Sequence, residues 1–234
     1  MPESEKAKRI KVGIQGLDEM LGNGLRPGSL CIVMGEPLCG KEILAKEFFY
    51  KGIERGEAGI YITTNNFAED VLNEMEEYGW RLSDYGDEVL YKIIDTYTQT
   101  VNPNVEDTDT ILYVPAATDL AGLSSKVVEA IAALSASFKT LRVVLDSLST
   151  IITFITPSAA VRFLSFLKGR VRLIKGLFVS LLESELTEKS TMVQILQLAD
   201  VIIEIRDHEI TVRQRGKPPK TGEFKITEEG VKIT

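Results

Sequence analysis

The residues Gly35-Glu36-Pro37-Leu38-Cys39-Gly40-Lys41-Glu42 carry the most chemistry in this 234-residue chain. They fit G-x-x-x-x-G-K, every feature of a phosphate-binding loop but the last. The glycines let successive backbone N–H groups turn inward as an anion nest. A following helix aims its positive end at the same place, and Lys41 offers a full charge to outer phosphates. The ligand such a loop implies is ATP or ADP with Mg²⁺. The last position calls for a Ser or Thr hydroxyl on Mg²⁺, and here it is Glu42. Like charges ~4 Å apart cost about 4 kcal/mol at an effective dielectric of 20. Glu42 therefore either weakens nucleotide binding or swings away to ligate the metal abnormally. Against this stands a plain role, since a glutamate in the first turn of a helix is favourable by ~0.3–1 kcal/mol and partly fills the nest itself.

The elements that must position this loop are legible from hydropathy. Leu30-Cys31-Ile32-Val33-Met34 is a continuous apolar run, as in a strand buried on both faces. Helical spacing follows from about Glu42 to Arg55. Further strands are expected at Gly59–Thr64, Val89–Ile94, Arg142–Asp146, Leu177–Leu182 and Val201–Ile205. Helices are expected at Ala68–Tyr78, stopping at Gly79, at Leu120–Phe138, and at Ser158–Ile174 with Pro157 near its start. Gln99–Thr110 is polar and acidic and reads as a loop. This alternation means βαβ units, hence an α/β fold with a mostly parallel sheet flanked by helices. The tail changes period: Glu209–Arg215 alternates, Gly216-Lys217-Pro218-Pro219 breaks it, and Gly222–Ile226 and Val231–Ile233 resume. Residues 209–234 thus form a C-terminal antiparallel β extension. Residues 1–10 read as a polar lead, and with no linker visible, 1–234 is expected to be one domain.

Lys plus Arg is 27 and Asp plus Glu 34, a net charge of −7, which disfavours bulk nucleic-acid binding. Cys31 and Cys39 are too few for a disulfide framework, so a reducing, cytoplasmic setting is expected. No run of ~18 apolar residues suggests a membrane partner. With His208 as the one histidine, His-based hydrolysis and multi-His metal sites are poor fits.

Gly13-Ile14-Gln15-Gly16-Leu17-Asp18-Glu19-Met20-Leu21, then Gly24-Leu25-Arg26-Pro27-Gly28-Ser29, then the loop, resemble the entry of KaiC-like and RadA-paralogue ATPases of the RecA superfamily. The similarity continues through Glu57–Ile62, Tyr78-Gly79-Trp80, Val143–Ser149, Leu198–Ile202 and Arg213–Gly216, and so covers nearly the whole chain. It implies a RecA-like core in which Asp146 supports Mg²⁺ through water. It also implies that Asn65 and Asn66 stand where the family places a water-orienting glutamate, and that Leu38 stands where it usually has glycine. Asparagine hydrogen-bonds water but cannot accept its proton near neutral pH. Arg213 and Arg215 would, by the same resemblance, reach a nucleotide on a neighbouring subunit, in a homo-oligomer or an assembly with an active relative.

The expectation is a degenerate member of that group, with weak or lost nucleotide binding and slow or absent hydrolysis, acting by assembly or as a regulatory partner. The alternatives are an active ATPase with Glu42 on the metal, and a structural protein whose loop is closed by its own side chains. Weak single-stranded DNA binding by Arg213, Arg215, Lys217 and Lys220 is a further one, disfavoured by the lack of interleaved aromatics. Cys39, beside Lys41 and a helix N-terminus, is expected either to have a lowered thiol pKa or simply to fill a small-residue position. Trp80 reads as a helix cap packed on the sheet and His208 as a surface turn residue, and Asp95 is placed to point toward the cleft.

Overall fold

A computed structural model describes residues 9–85, 90–185 and 187–234. Its strands are β1 (Leu30–Gly35), β2 (Ala58–Thr63), β3 (Tyr91–Asp95), β4 (Ile111–Tyr113), β5 (Leu141–Asp146), β6 (Leu177–Glu183), β7 (Val201–Arg206), β8 (Glu209–Gln214), β9 (Lys220–Thr227) and β10 (Gly230–Ile233). Its helices are α1 (Leu17–Met20), α2 (Lys41–Ile53), α3 (Ala68–Glu77), α4 (Thr98–Val101), α5 (Leu120–Ser135), α6 (Leu148–Phe154), α7 (Pro157–Leu173) and α8 (Lys189–Leu198). All strands join one sheet in the order β10-β9-β8-β7-β1-β6-β5-β2-β3-β4. The run from β7 to β4 is parallel, and β8, β9 and β10 add to it antiparallel, so the α/β class and the C-terminal extension are as read from the sequence.

The central strands β1, β2 and β5 are buried along their whole length because helices cover both faces, and this is why they read as mostly apolar runs without polar alternation. On one face Phe48 and Phe49 of α2 and Val71 and Met75 of α3 pack with Tyr61 and Val144. On the other, Val127 of α5, Leu164 and Leu167 of α7 and Ile195 of α8 pack with Ile32 and Val143. None of the described helices is long and apolar enough to cross a membrane.

Several expectations need correction. The loop expected over Gln99–Thr110 begins inside the short helix α4, and just past its end lies an unforeseen edge strand, β4, whose pairing with β3 is too brief to show as a hydrophobic pattern. A separate helix, α6, precedes α7, and Ile155 and Thr156 divide the two. Pro157 opens α7, where its missing N–H costs nothing. Residues 1–8 and Val89 lie outside the described residues, but Arg9 and Ile10 belong to no loose lead: Ile10 bridges to Leu25, and Arg9 donates to the Leu21 and Gly24 carbonyls. Trp80 caps α3, its N–H reaching the Met75 carbonyl, and its ring stacks between Tyr50 and Tyr78 and lies against Gly230 of the edge strand β10.

Two buried polar groups make testable demands on stability. The Ser180 hydroxyl, in the middle of β6, is fully buried and has no hydrogen-bond partner among the described residues. Ser180→Ala is expected to stabilise the fold by about 1 kcal/mol, read as a higher denaturant midpoint. Glu47 of α2 is 4% exposed, and its Oε2 accepts from the Val231 N–H at 2.6 Å, tying α2 to β10. Burial pushes its carboxyl up to about 7, against the bond from Val231 and the charge of Lys51. A raised folded-state pKa contributes stability that is complete below the unfolded value of 4.5 and is lost as pH rises through about 7. Glu47→Gln keeps the acceptor and removes this loss. It is expected to raise stability by about 1 kcal/mol at pH 5 and about 3 kcal/mol at pH 8. Equal gains at the two pH values would show that ionisation is not the cause.

Candidate functional site

The phosphate loop leaves the C-terminal end of β1 and feeds α2, as its sequence requires. Gly35 pairs with Glu183 at the end of β6, and Thr63 pairs with Asp146 across β2 and β5. Loop, Glu183, Asp146 and Asn65-Asn66 thus line up beyond four adjacent strand ends, the place where open α/β sheets bind ligands. Gly40, just before α2, has φ +92°, and a Cβ there would fall 2.6 Å from the Ile226 side chain of β9. Leu38 also takes a left-handed φ, of 64°, and is 96% exposed. A side chain in that conformation costs about 1–2 kcal/mol, a cost that a glycine would avoid.

Lys41 is fully buried, and its ammonium is held by the protein's own oxygens. Nζ lies 2.7 Å from Glu42 Oε1 and 4.0 Å from Glu183 Oε1, and it donates to the Glu36 carbonyl at 3.0 Å. Glu42 thus points into the site and onto the lysine. Glu183 escaped the sequence reading, although it bears the signal that marked Asp146, an apolar run ending in an acid. Its N–H donates to Ser149 Oγ at 2.7 Å, which fixes the strand end.

Asp146 is 4% exposed, and its Oδ2 accepts from the Tyr61 hydroxyl at 2.6 Å. Burial raises its pKa, opposed chiefly by the charge of Lys46 and then by the Tyr61 hydrogen bond, while Glu42 adds to the rise. Lys46, on the second turn of α2, is itself buried and paired with Glu74 of α3 at 2.6 Å. The sequence signal for Lys46 was a cation sharing its helix face with Ile43, Phe49 and Tyr50, one turn to either side. Asn65 is exposed and Asn66 half-buried. The Asn66 carbonyl accepts from Thr63 Oγ1 at 2.9 Å, and its N–H donates back to the same oxygen at 3.3 Å.

A cavity of about 710 Å³ adjoins the loop, walled by Pro37, Cys39, Ile205, His208, Phe224 and Ile226. Its size and mostly apolar walls suit a flat heterocycle. His208 is exposed in the β7–β8 turn, as expected, and also borders this cavity. Cys39 corrects the expectation of a lowered thiol pKa: burial raises it and outweighs the opposing influence of Lys41. Asp95 also departs from its expectation, because it is fully buried and its carboxylate is consumed by the N–H groups of Ala68, Tyr97 and Thr98 and the Thr98 hydroxyl.

Arg213 and Arg215 do not join the site within one chain. Arg213 pairs with Ile202, three residues before the Ile205 that flanks Gly35, and its guanidinium lies 3.7 Å from Glu204. Lys220 donates to the Glu19 carbonyl, so the basic strip is partly engaged by the protein itself.

The residues do not fit a Mg²⁺ site of the usual kind. Where a neutral hydroxyl is required there is a carboxylate already on Lys41, and Asp146, 4% exposed, is bonded by the Tyr61 hydroxyl. Among the described residues no group of three or more His, Cys, Asp or Glu side chains is arranged to hold a metal ion.

A family model described as "ATPase: KaiC" matches residues 10–234. A UPF0273 protein of Saccharolobus solfataricus is 34% identical over 73% of this chain and 57% of its own. Another, of Thermotoga maritima, is 31% identical over 78% of this chain and 72% of its own. The match therefore spans little more than half of the Saccharolobus relative. A crystal structure of a KaiC-like protein from Pyrococcus horikoshii superimposes with a TM-score of 0.73 at 20% identity, over 97% of this chain and 99% of that one.

Proposed function

Since the chain belongs to the KaiC-like ATPase family of the RecA superfamily, we propose that it is a member in which hydrolysis has been lost and nucleotide binding weakened. The observation that carries this reading is the 2.7 Å ion pair between Lys41 and Glu42. Phosphoryl transfer needs a phosphate cradle, compensation of charge and a positioned water. The cradle persists in Gly35–Lys41, but the charge meant for the phosphates is spent on Glu42, with Glu183 behind it. An incoming ATP or ADP must displace a carboxylate and then sit beside it. Asn65 and Asn66 cannot take a proton from water. The cavity beside the loop supports residual recognition of a nucleotide base.

Such a protein acts through assembly, with copies of itself or with an active relative. Exposed Arg213 and Arg215 on the β extension are the groups available to a neighbour's phosphates. The test is phosphate release from radiolabelled ATP with Mg²⁺. The wild type is expected to match its Lys41→Ala variant. A metal-dependent rate typical of ordinary ATPases, abolished by Lys41→Ala, would overturn the reading and favour Glu42 as a direct metal ligand.

A further inference from the structure

Three cations gather on the turn that follows α1, at the end of the sheet away from the phosphate loop. Arg9 Nη1 donates to the Leu21 and Gly24 carbonyls at 3.0 and 2.6 Å. Lys220 Nζ donates at 2.8 Å to the Glu19 carbonyl, which also accepts the Gly22 N–H at 3.1 Å. Lys217 Nζ stands 3.1 Å from the point where a Cβ of Gly22 would lie, a space that the glycine, at φ +71°, leaves open. Lys217 and Lys220 flank Pro218-Pro219 between β8 and β9, a stiff connection that lowers the entropy cost of holding them. Gln214, which leads into this turn, pairs with Val201, and Val201 pairs with Cys31 near the start of β1, whereas the phosphate loop leaves the other end of β1.

The anchors are carbonyls, which hold a cation without cancelling its charge. Among the described residues none of the three is in an ion pair with a carboxylate. Asp18, nearby in the chain, is engaged by the Val12 and Gly13 N–H groups. Each cation keeps donors to spare, since a lysine has three and an arginine five. Their crowding shows in Lys217, whose pKa is lowered first by desolvation and then by the charges of Arg9, Lys220 and Arg26. A compact, uncompensated cluster of this kind, in a chain of net charge −7, fits an anion with several charges in a short span. The turn carries no aromatic side chain on which a nucleic-acid base could stack.

We propose that Arg9, Lys217 and Lys220 form a second anion site, separate from the phosphate loop, that takes an oligophosphate: a short inorganic chain or the phosphate tail of a nucleotide. It uses neither Lys41 nor Arg213 and Arg215, and so stands whether or not the loop binds nucleotide. The probe is sodium tripolyphosphate, titrated calorimetrically at low salt without divalent cations into the wild type and into Lys41→Ala. Both are expected to bind one per chain, at least about 10-fold more tightly than orthophosphate. Lys217→Gln with Lys220→Gln, both exposed and so harmless to the fold, is expected to weaken binding by about 10-fold or more, as is Arg9→Gln. Lys139→Gln with Lys189→Gln removes the same charge from exposed positions on other elements and should leave binding unchanged. ATP titrated into Lys41→Ala separates the two sources: affinity equal to tripolyphosphate marks a nucleotide tail, weaker affinity an inorganic chain, and either upholds the site.

Binding abolished by Lys41→Ala and indifferent to Lys217 and Lys220 would return the anion to the phosphate loop and overturn the proposal. So would no stoichiometric binding, or an equal loss in the Lys139, Lys189 control. A DNA oligonucleotide bound more tightly than tripolyphosphate, and lost with Lys217 and Lys220, would overturn it in favour of a nucleic-acid contact.

Discussion

Glu42→Thr is expected to tighten ATP and ADP binding by about 10- to 100-fold, the equivalent of about 1.4–2.8 kcal/mol. The substitution removes the carboxylate 2.7 Å from the Lys41 ammonium and returns that charge to the loop. The gain is smaller than the roughly 4 kcal/mol that a like-charge contact at 4 Å represents. Glu42 is one-third exposed, so solvent already screens it, and Glu183 remains 4.0 Å from the lysine. Titration of a fluorescent ADP or ATP analogue measures the effect, and Lys41→Ala in the same background should abolish it. An unchanged affinity would mean that Glu42 is no barrier and that the loop is disabled elsewhere.

The second large effect concerns stability. Arg142 is fully buried in β5, and its guanidinium is spread over four acceptors. Nε donates to Glu57 at 2.6 Å, Nη1 to the Val12 and Phe48 carbonyls at 2.7 Å each, and Nη2 to the Lys11 carbonyl at 2.9 Å. It also lies 4.8 Å from the Phe48 ring centroid. One side chain therefore joins the N-terminal segment, α2 and the sheet beneath the phosphate loop. Gly52 leaves room for it, since a Cβ there would stand 2.5 Å from Arg142 Cδ. Arg142→Met is expected to cost about 3–5 kcal/mol, because it strands the Glu57 carboxylate and several carbonyls. Arg142→Lys should rescue only part of this, since one ammonium cannot reproduce the planar fork. Urea unfolding reads both, and a loss below about 1 kcal/mol for Arg142→Met would contradict this role.

The architecture was largely legible because buried parallel strands and one-sided helices imprint different periods on the sequence. β1 and α2 could be placed, and the loop between them recognised, from Leu30–Arg55 alone. What escaped was either too short to have a period, as with β4, or decided by tertiary packing. Arg142 reads as an ordinary strand residue until its partners from distant segments are known. Cys39 misled because a favourable field was visible in sequence while burial was not. The identity of Glu42 was plain, but its direction is a rotamer choice set by Lys41, and no one-dimensional pattern encodes it. Lys46, Glu74 and Tyr61 were missed because their pairings, Lys46 with Glu74 and Tyr61 with Asp146, join residues of different elements far apart in sequence.

The most direct test is crystallographic. Wild-type and Glu42→Thr crystals would be soaked side by side in a non-hydrolysable ATP analogue with Mg²⁺, at a concentration that fills the variant's loop. The expected result is phosphate density on Lys41 in the variant, with the wild-type lysine still against Glu42 and little or no analogue bound. A well-ordered triphosphate in the wild type, with a hydrated Mg²⁺ beside Asp146 and a carboxylate behind the terminal phosphorus, would contradict the account.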